Sequence, residues 1–113
     1  MKVSFEGIGE IVATFYNGGA KKGAPVKMSS SGEVCSCADG ETFAGVAVSV
    51  NGDFAAVQIG GYVKMPYSGE TPQPGWQHLA SDGQGGVKVA QNTGKSYLVL
   101  DVDASAGTVG FML

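Results

Sequence analysis

His78, Ser81 and Asp82 are the residues whose types come nearest to a reactive set, because a histidine base, a serine nucleophile and an orienting carboxylate are the parts of an acyl-transfer triad. His78 is the only histidine, however, and its would-be partners are its neighbours in sequence, with no strained elbow to present the serine. A histidine at a strand start beside ordinary turn residues is the plainer reading. Asp101 and Asp103 sit two apart and share a face if extended, which would suit a divalent cation or proton transfer, although such pairs more often form a solvated face. Gly83-Gln84-Gly85-Gly86 lacks the Lys-Ser/Thr pair and the following helix of a phosphate loop and reads as a turn. Cys35 and Cys37 are the only cysteines; two thiols and one histidine do not complete a tetrahedral metal site. In an extended segment they point the same way, which disfavours a mutual disulfide, so they are expected as buried or half-buried thiols. The sequence therefore predicts a protein that is not an enzyme, with no catalytic residue, no cofactor and no metal.

Composition narrows the class further. The 113 residues suffice for one domain spanning 1–113 and one modest core. Charged residues are only 15% and glycine reaches 19, without a collagen-like period, so the glycines mark turns between apolar runs. A net charge of −3 argues against direct nucleic-acid or anionic-membrane binding, both of which depend on Lys/Arg patches. Lys21-Lys22 is too small a basic spot to change that. The expected partner is another protein. No stretch approaches the ~20 apolar residues of a membrane span, and the first residues lack the apolar centre of a signal peptide, so the chain reads as soluble and made in the cytosol.

The elements that must position any site are strands. Residues 10–16 form a β-branched and aromatic run closed by Asn17-Gly18-Gly19, and short strands are expected over 25–28 and 33–37. Over 43–50, Val46, Val48 and Val50 fall on one face and Gly45, Ala47 and Ser49 on the other. Asn51-Gly52 is the strongest hairpin signal, leading into a strand over 53–59 on which Val57 and Ile59 share a face. Gly60-Gly61 bends the chain into a strand over 62–65 that Pro66 ends or places at an edge. Strands over 87–89, 95–103 and 108–113 follow, and no capped helical pattern occurs. The class is all-β, a small barrel or sandwich with little or no helix.

The pattern is written twice. Residues 23–59 return in 75–113, with Gly23 on Gly75 at a spacing of 52, residues 43–48 on 97–102 at 54, and Val57 and Ile59 on Phe111 and Leu113 at 54. The predicted half-repeats span about 20–65 and 75–113, joined by a linker over 66–76 that holds three of the four prolines. Tyr62, Met65, Pro66, Tyr67, Pro72 and Trp76 lie in or beside that linker. They are read as a protein interface, because Trp, Tyr and Met are enriched in interfaces and a proline-rich loop docks at low entropic cost. The alternative is a carbohydrate- or ligand-binding module in which Trp76, Tyr67 and Tyr62 stack on a sugar.

The runs Gly23-Ala24-Pro25-Val26-Lys27-Met28, Gly32-Glu33-Val34, Phe43-Ala44-Gly45-Val46-Ala47-Val48 and Ala56-Val57-Gln58-Ile59-Gly60-Gly61-Tyr62-Val63 resemble the small capsid-decoration (cement, head-stabilising) proteins of tailed phages and prophages. The likeness extends over roughly residues 20–113, and the second copy departs from the family's Gly-Val-Ala centre at Val99-Leu100-Asp101. It implies a structural protein of the virion, made in the bacterial host cytoplasm, that binds the major capsid protein on the outside of an assembled shell. The implied state is a homo-oligomer, typically a trimer, bound through many modest contacts. Lys2, Val3 and Phe5 are further interface candidates, since an extended end can add a strand to a capsid-protein edge.

Overall fold

Apolar alternation interrupted by glycine turns gives ten strands and no helix in the computed structural model, which describes residues 9–113. Lys2, Val3 and Phe5 lie outside the described residues. The strands are β1 (Ile11–Asn17), β2 (Pro25–Ser30), β3 (Glu33–Ser36), β4 (Gly45–Asn51), β5 (Phe54–Gly60), β6 (Tyr62–Ser68), β7 (Gly75–Ser81), β8 (Val87–Val89), β9 (Lys95–Asp103) and β10 (Thr108–Met112). They close into two barrels of five strands. The first runs β1-β3-β2-β4-β5 and back to β1, and the second runs β6-β8-β7-β9-β10 and back to β6. Each has the same single parallel contact, first strand against third, with antiparallel neighbours elsewhere. Closure leaves no long open sheet edge, the usual hazard of a small β protein.

The duplication is thus real at the level of strand pairing, and the register refines it. In the first barrel Ala47 pairs with Val57, Val48 is an extra bulged residue, and Ser49, Val50 and Asn51 pair with Ala56, Ala55 and Phe54. In the second, Val99 pairs with Phe111, Leu100 is the bulge, and Asp101, Val102 and Asp103 pair with Gly110, Val109 and Thr108. Strand β4 therefore maps onto β9 at a spacing of 52, where the sequence pattern put 54, while β5 maps onto β10 at 54 as expected. The difference is two residues in the turn: Gly52-Asp53 in the first barrel becomes 104–107 in the second. Under this register Val99-Leu100-Asp101 matches Ala47-Val48-Ser49, so the second copy shifts rather than breaks the pattern. The bulge also splits the three valines of β4: Val46 faces out of the first barrel, Val48 is exposed, and Val50 packs on the core.

The boundary between copies falls at Gly60-Gly61, and Gly61 takes the left-handed conformation that the sharp passage into β6 requires. Residues 66–76 are consequently no linker between halves. They form the end of β6, a loop and the start of β7, all inside the second barrel. Pro66 does not stop β6: it lies opposite Thr108, and β8 begins to pair only at Tyr67, so the missing N–H leaves no gap in the ladder. Strand β7 begins three residues before His78, where the sequence places a strand start.

Each barrel holds a core. The first contains Ala20, Val26, Val34, Ala47, Ala55 and Val57, with Phe15 and Val50 against them. The second is larger, built on Val63, Met65, Leu79, Val87, Tyr97, Val99, Val109 and Phe111. It also takes Cys37, Phe43 and Val46 from the first half of the chain, which couples the barrels into one packed unit. The segment between β3 and β4 makes that crossing. Gly40 N–H donates to Ser81 O at 2.8 Å, Ser81 N–H to Glu41 O at 3.0 Å, and Lys88 pairs with Asp39 at 2.7 Å. Phe43 stacks on Tyr97, centroids 5.1 Å apart and planes at 6°, and the Tyr97 hydroxyl donates to Phe43 O at 3.2 Å. Burial pushes the Tyr97 hydroxyl up to about 12.

Candidate functional site

The residues with chemical potential are turned to separate structural tasks. Ser81 is buried and its Oγ accepts the Gly83 N–H at 3.1 Å, whereas His78 is exposed on β7. The Asp82 carboxylate folds back on its own turn, accepting Gln84 N–H at 2.7 Å and Gly86 N–H at 3.0 Å, and the Ser68 hydroxyl at 3.1 Å. The glycine loop is therefore a turn, as read, with the N–H groups of Gly83, Gln84 and Gly86 spent on Ser81 and Asp82. Asp101 approaches Lys64 at 3.9 Å, and Asp103 accepts Ala106 N–H in the β9–β10 turn. Cys35 and Cys37 are free thiols, the first half-buried and the second buried. Burial raises the Cys37 thiol to about 11, with Glu41 a lesser contributor, which keeps it protonated at neutral pH. Among the described residues no group of three His, Cys, Asp or Glu side chains is placed to hold a metal ion.

Three of the expected interface residues, Met65, Tyr67 and Pro72, point inward. Met65 is 2% exposed and belongs to the second core, and Pro72 is fully buried, so neither offers its side chain to a partner. The reason is strand alternation: Val63, Met65 and Tyr67 occupy successive inward places on β6, and Tyr67 packs against the same core. Pro66, between them, is exposed. Trp76 is exposed at 75%, the highest of any large apolar side chain described. It pairs with Leu98, Leu98 with Met112, and Met112 with Tyr62, a row across four strands of the second barrel. Trp76, Leu98, Met112 and the neighbouring Tyr97 and Leu113 line a shallow groove of about 240 Å³, with Lys95 and Ser96 at its edge. Tyr62 and Trp76 share this face at opposite ends, while Tyr67 lies on the inner one. The three rings do not assemble into a stacking platform.

The larger apolar surface is on the first barrel, outside the residues that the sequence singles out as an interface. Tyr16 and Phe54, 60% and 51% exposed, face each other across β1 and β5 and stack on the outside at 5.5 Å and 28°. Val12 lies on the same outer face, 45% exposed. The pair is held at the tip of the β4–β5 hairpin. Asn17 Nδ2 donates to Gly52 O at 3.2 Å, and Asn17 Oδ1 accepts Ala20 N–H at 2.7 Å, so the turns after β1 and β4 are tied together beneath the rings. Gly52 supplies the positive φ that this two-residue turn demands. Both aromatics sit beside a turn dipeptide, but that position does not by itself set which way a ring faces. β-propensity alone does not tell an inward ring from an outward one.

Between the barrels, Lys21, Lys22, Pro25 and Cys37 face Ser81 and Gly83-Gln84-Gly85 across a cleft of about 320 Å³. The charge there comes from two exposed lysines alone. No family model matches the chain, and no curated protein matches it.

Proposed function

We propose that this protein is a non-enzymatic component of a phage or prophage virion that binds the outer surface of an assembled capsid and stabilises it. The observation that carries the reading is the stacked Tyr16 and Phe54 pair, held rigidly on the outside of a closed barrel. Exposed aromatic rings on a stiff frame lose little conformational entropy on docking and suit a protein partner of fixed shape. The low charge, the net charge of −3 and the resemblance of residues 20–113 to capsid-decoration proteins support the same assignment. The partner is the major capsid protein, the acting form a homo-oligomer, in the trimeric arrangement that the resemblance implies, and the location the capsid surface. Many copies on a symmetric lattice would add modest contacts into tight overall binding.

Co-sedimentation of the purified protein with empty, expanded capsids of the phage that encodes it tests this. Saturable binding is expected, and protein that stays in the supernatant at every ratio refutes the assignment. The carbohydrate-binding alternative retains Trp76 as its only well-exposed ring. A sugar-dependent shift of Trp76 fluorescence, with no capsid binding, would favour that alternative.

A further inference from the structure

The duplication supplies a comparison inside the molecule. Pro25, Val46 and Gln58 stand side by side across β2, β4 and β5, on the outside of the first barrel. All three are nonetheless buried, Val46 at 7% and Gln58 at 6% exposure, because the second barrel covers them. Val46 enters the second core beside Val63, and Gln58 Nε2 donates to Gly60 O at 2.9 Å and to Tyr62 O at 3.0 Å. The opening residues of β6 thus form much of the cover. At the corresponding place on the second barrel stand Trp76, Leu98 and Met112, paired in the same order across β7, β9 and β10. Nothing among the described residues covers this face as β6 covers the first, and Trp76 is left 75% exposed above its groove. The opening of β1, which corresponds to that of β6, carries Ile11 and Val12, themselves 56% and 45% exposed. The described residues therefore present two apolar faces that correspond to the two sides of the contact between the barrels.

We propose that the protein associates with itself head to tail: the Ile11 and Val12 end of one copy covers the Trp76, Leu98 and Met112 face of the next, repeating the contact between its own barrels. Lys95 lines the groove on one side, and Glu10 stands beside Ile11 on the other, in a recess that it shares with Lys22 and Lys64. A contact of this kind joins two different surfaces, so it closes into a ring or continues as a filament. A tryptophan seated in the centre of such a contact is a typical energetic anchor. The contact requires no capsid, so its failure and that of capsid binding are separately visible.

The test is sedimentation of the purified full chain across a concentration series, with Trp76→Lys (tail face spoiled) and Val12→Glu (head face spoiled). Wild type is expected to form species heavier than one chain, and each variant alone to sediment as a single chain. An equimolar mixture of the two is expected to give a two-chain species that grows no further, because one good head and one good tail remain. Trp76→Ser, which removes the ring without adding charge, should reproduce the loss, and melting curves matching wild type would show that all variants are folded. Wild type that remains a single chain up to its solubility limit overturns the proposal. So does a mixture that stays monomeric, or a Val12→Glu variant that assembles like wild type while Trp76→Lys does not. Assembly lost on deleting residues 1–8 but kept in Val12→Glu would overturn it as well, assigning the groove to the N-terminal segment instead.

Discussion

At four places matched by strand register, the first barrel carries Gly45, Ala47, Ala55 and Val57 where the second carries Tyr97, Val99, Val109 and Phe111. Every one of the four is smaller in the first barrel. Gly45 is forced to be so, because a Cβ there would collide with the Gln58 carbonyl oxygen and lie 2.8 Å from Val57 Cγ1. The outer surfaces show the reverse. Of the eight large apolar side chains exposed among the described residues, seven belong to the first barrel and only Trp76 to the second. One pairing scheme thus holds two different distributions of the same kind of surface. Apolar area buried on folding stabilises the fold, and apolar area left outside is available for association. The second barrel, with its aromatic cluster of Phe43, Tyr97 and Phe111, is the stabilising half, and the first is the half that presents surface.

The hardest way to break this division is to open the stabilising barrel. Deleting residues 108–113 removes β10, which closes the second barrel between β6 and β9, and takes Val109 and Phe111 out of the core. Loss of any cooperative thermal transition is expected by circular dichroism, and a melt like that of the full chain would contradict it. A matched pair of truncations sharpens the comparison. Phe111→Ala should cost about 3–5 kcal/mol in chemical unfolding, and Val57→Ala, at the equivalent place, about 2 kcal/mol. Equal losses would mean that the barrels share the load.

Much of the fold was legible because local signals agreed. Residues 95–103 were read as a strand with the bounds that β9 has, and Asn51-Gly52 marks the β4–β5 hairpin. The sequence marks only a strand start at His78, because Pro72 and Pro74 precede β7 and Trp76-Gln77-His78 shows no apolar alternation; pairing with β8 and β9 sets its bounds. The sequence places Met65 beside a proline that ends the strand or sets it at an edge, while Val63, Met65 and Tyr67 alternate inward through Pro66. Neither the crossing of Phe43 into the second barrel nor the outward stacking of Tyr16 on Phe54 has a local cause. Both follow from contacts between residues far apart in sequence, and these supply the coupling of the barrels and the candidate surface.

The smallest expected effect lies in the segment that joins the halves. Lys27 Nζ donates to Glu41 Oε2 at 2.5 Å, and Ala38 N–H to Glu41 Oε1 at 2.6 Å, which hold the Glu41 carboxyl below its ordinary range. A carboxylate with a lowered folded-state value contributes stability above its unfolded value, near 4.5, and loses it as pH falls through the folded one. Both side chains are substantially exposed, so Glu41→Gln should lower stability slightly at pH 7, with the gap to wild type closing under acid conditions. A gap that persists below both values would place the effect in packing instead.

The division of labour itself is tested by comparing capsid binding with stability in a Tyr16→Ser/Phe54→Ser variant. Removing the external stack should abolish co-sedimentation with expanded capsids while the melting transition stays close to that of wild type. Retained capsid binding, or a loss of stability as large as that of Phe111→Ala, would contradict the assignment of surface to the first barrel and stability to the second.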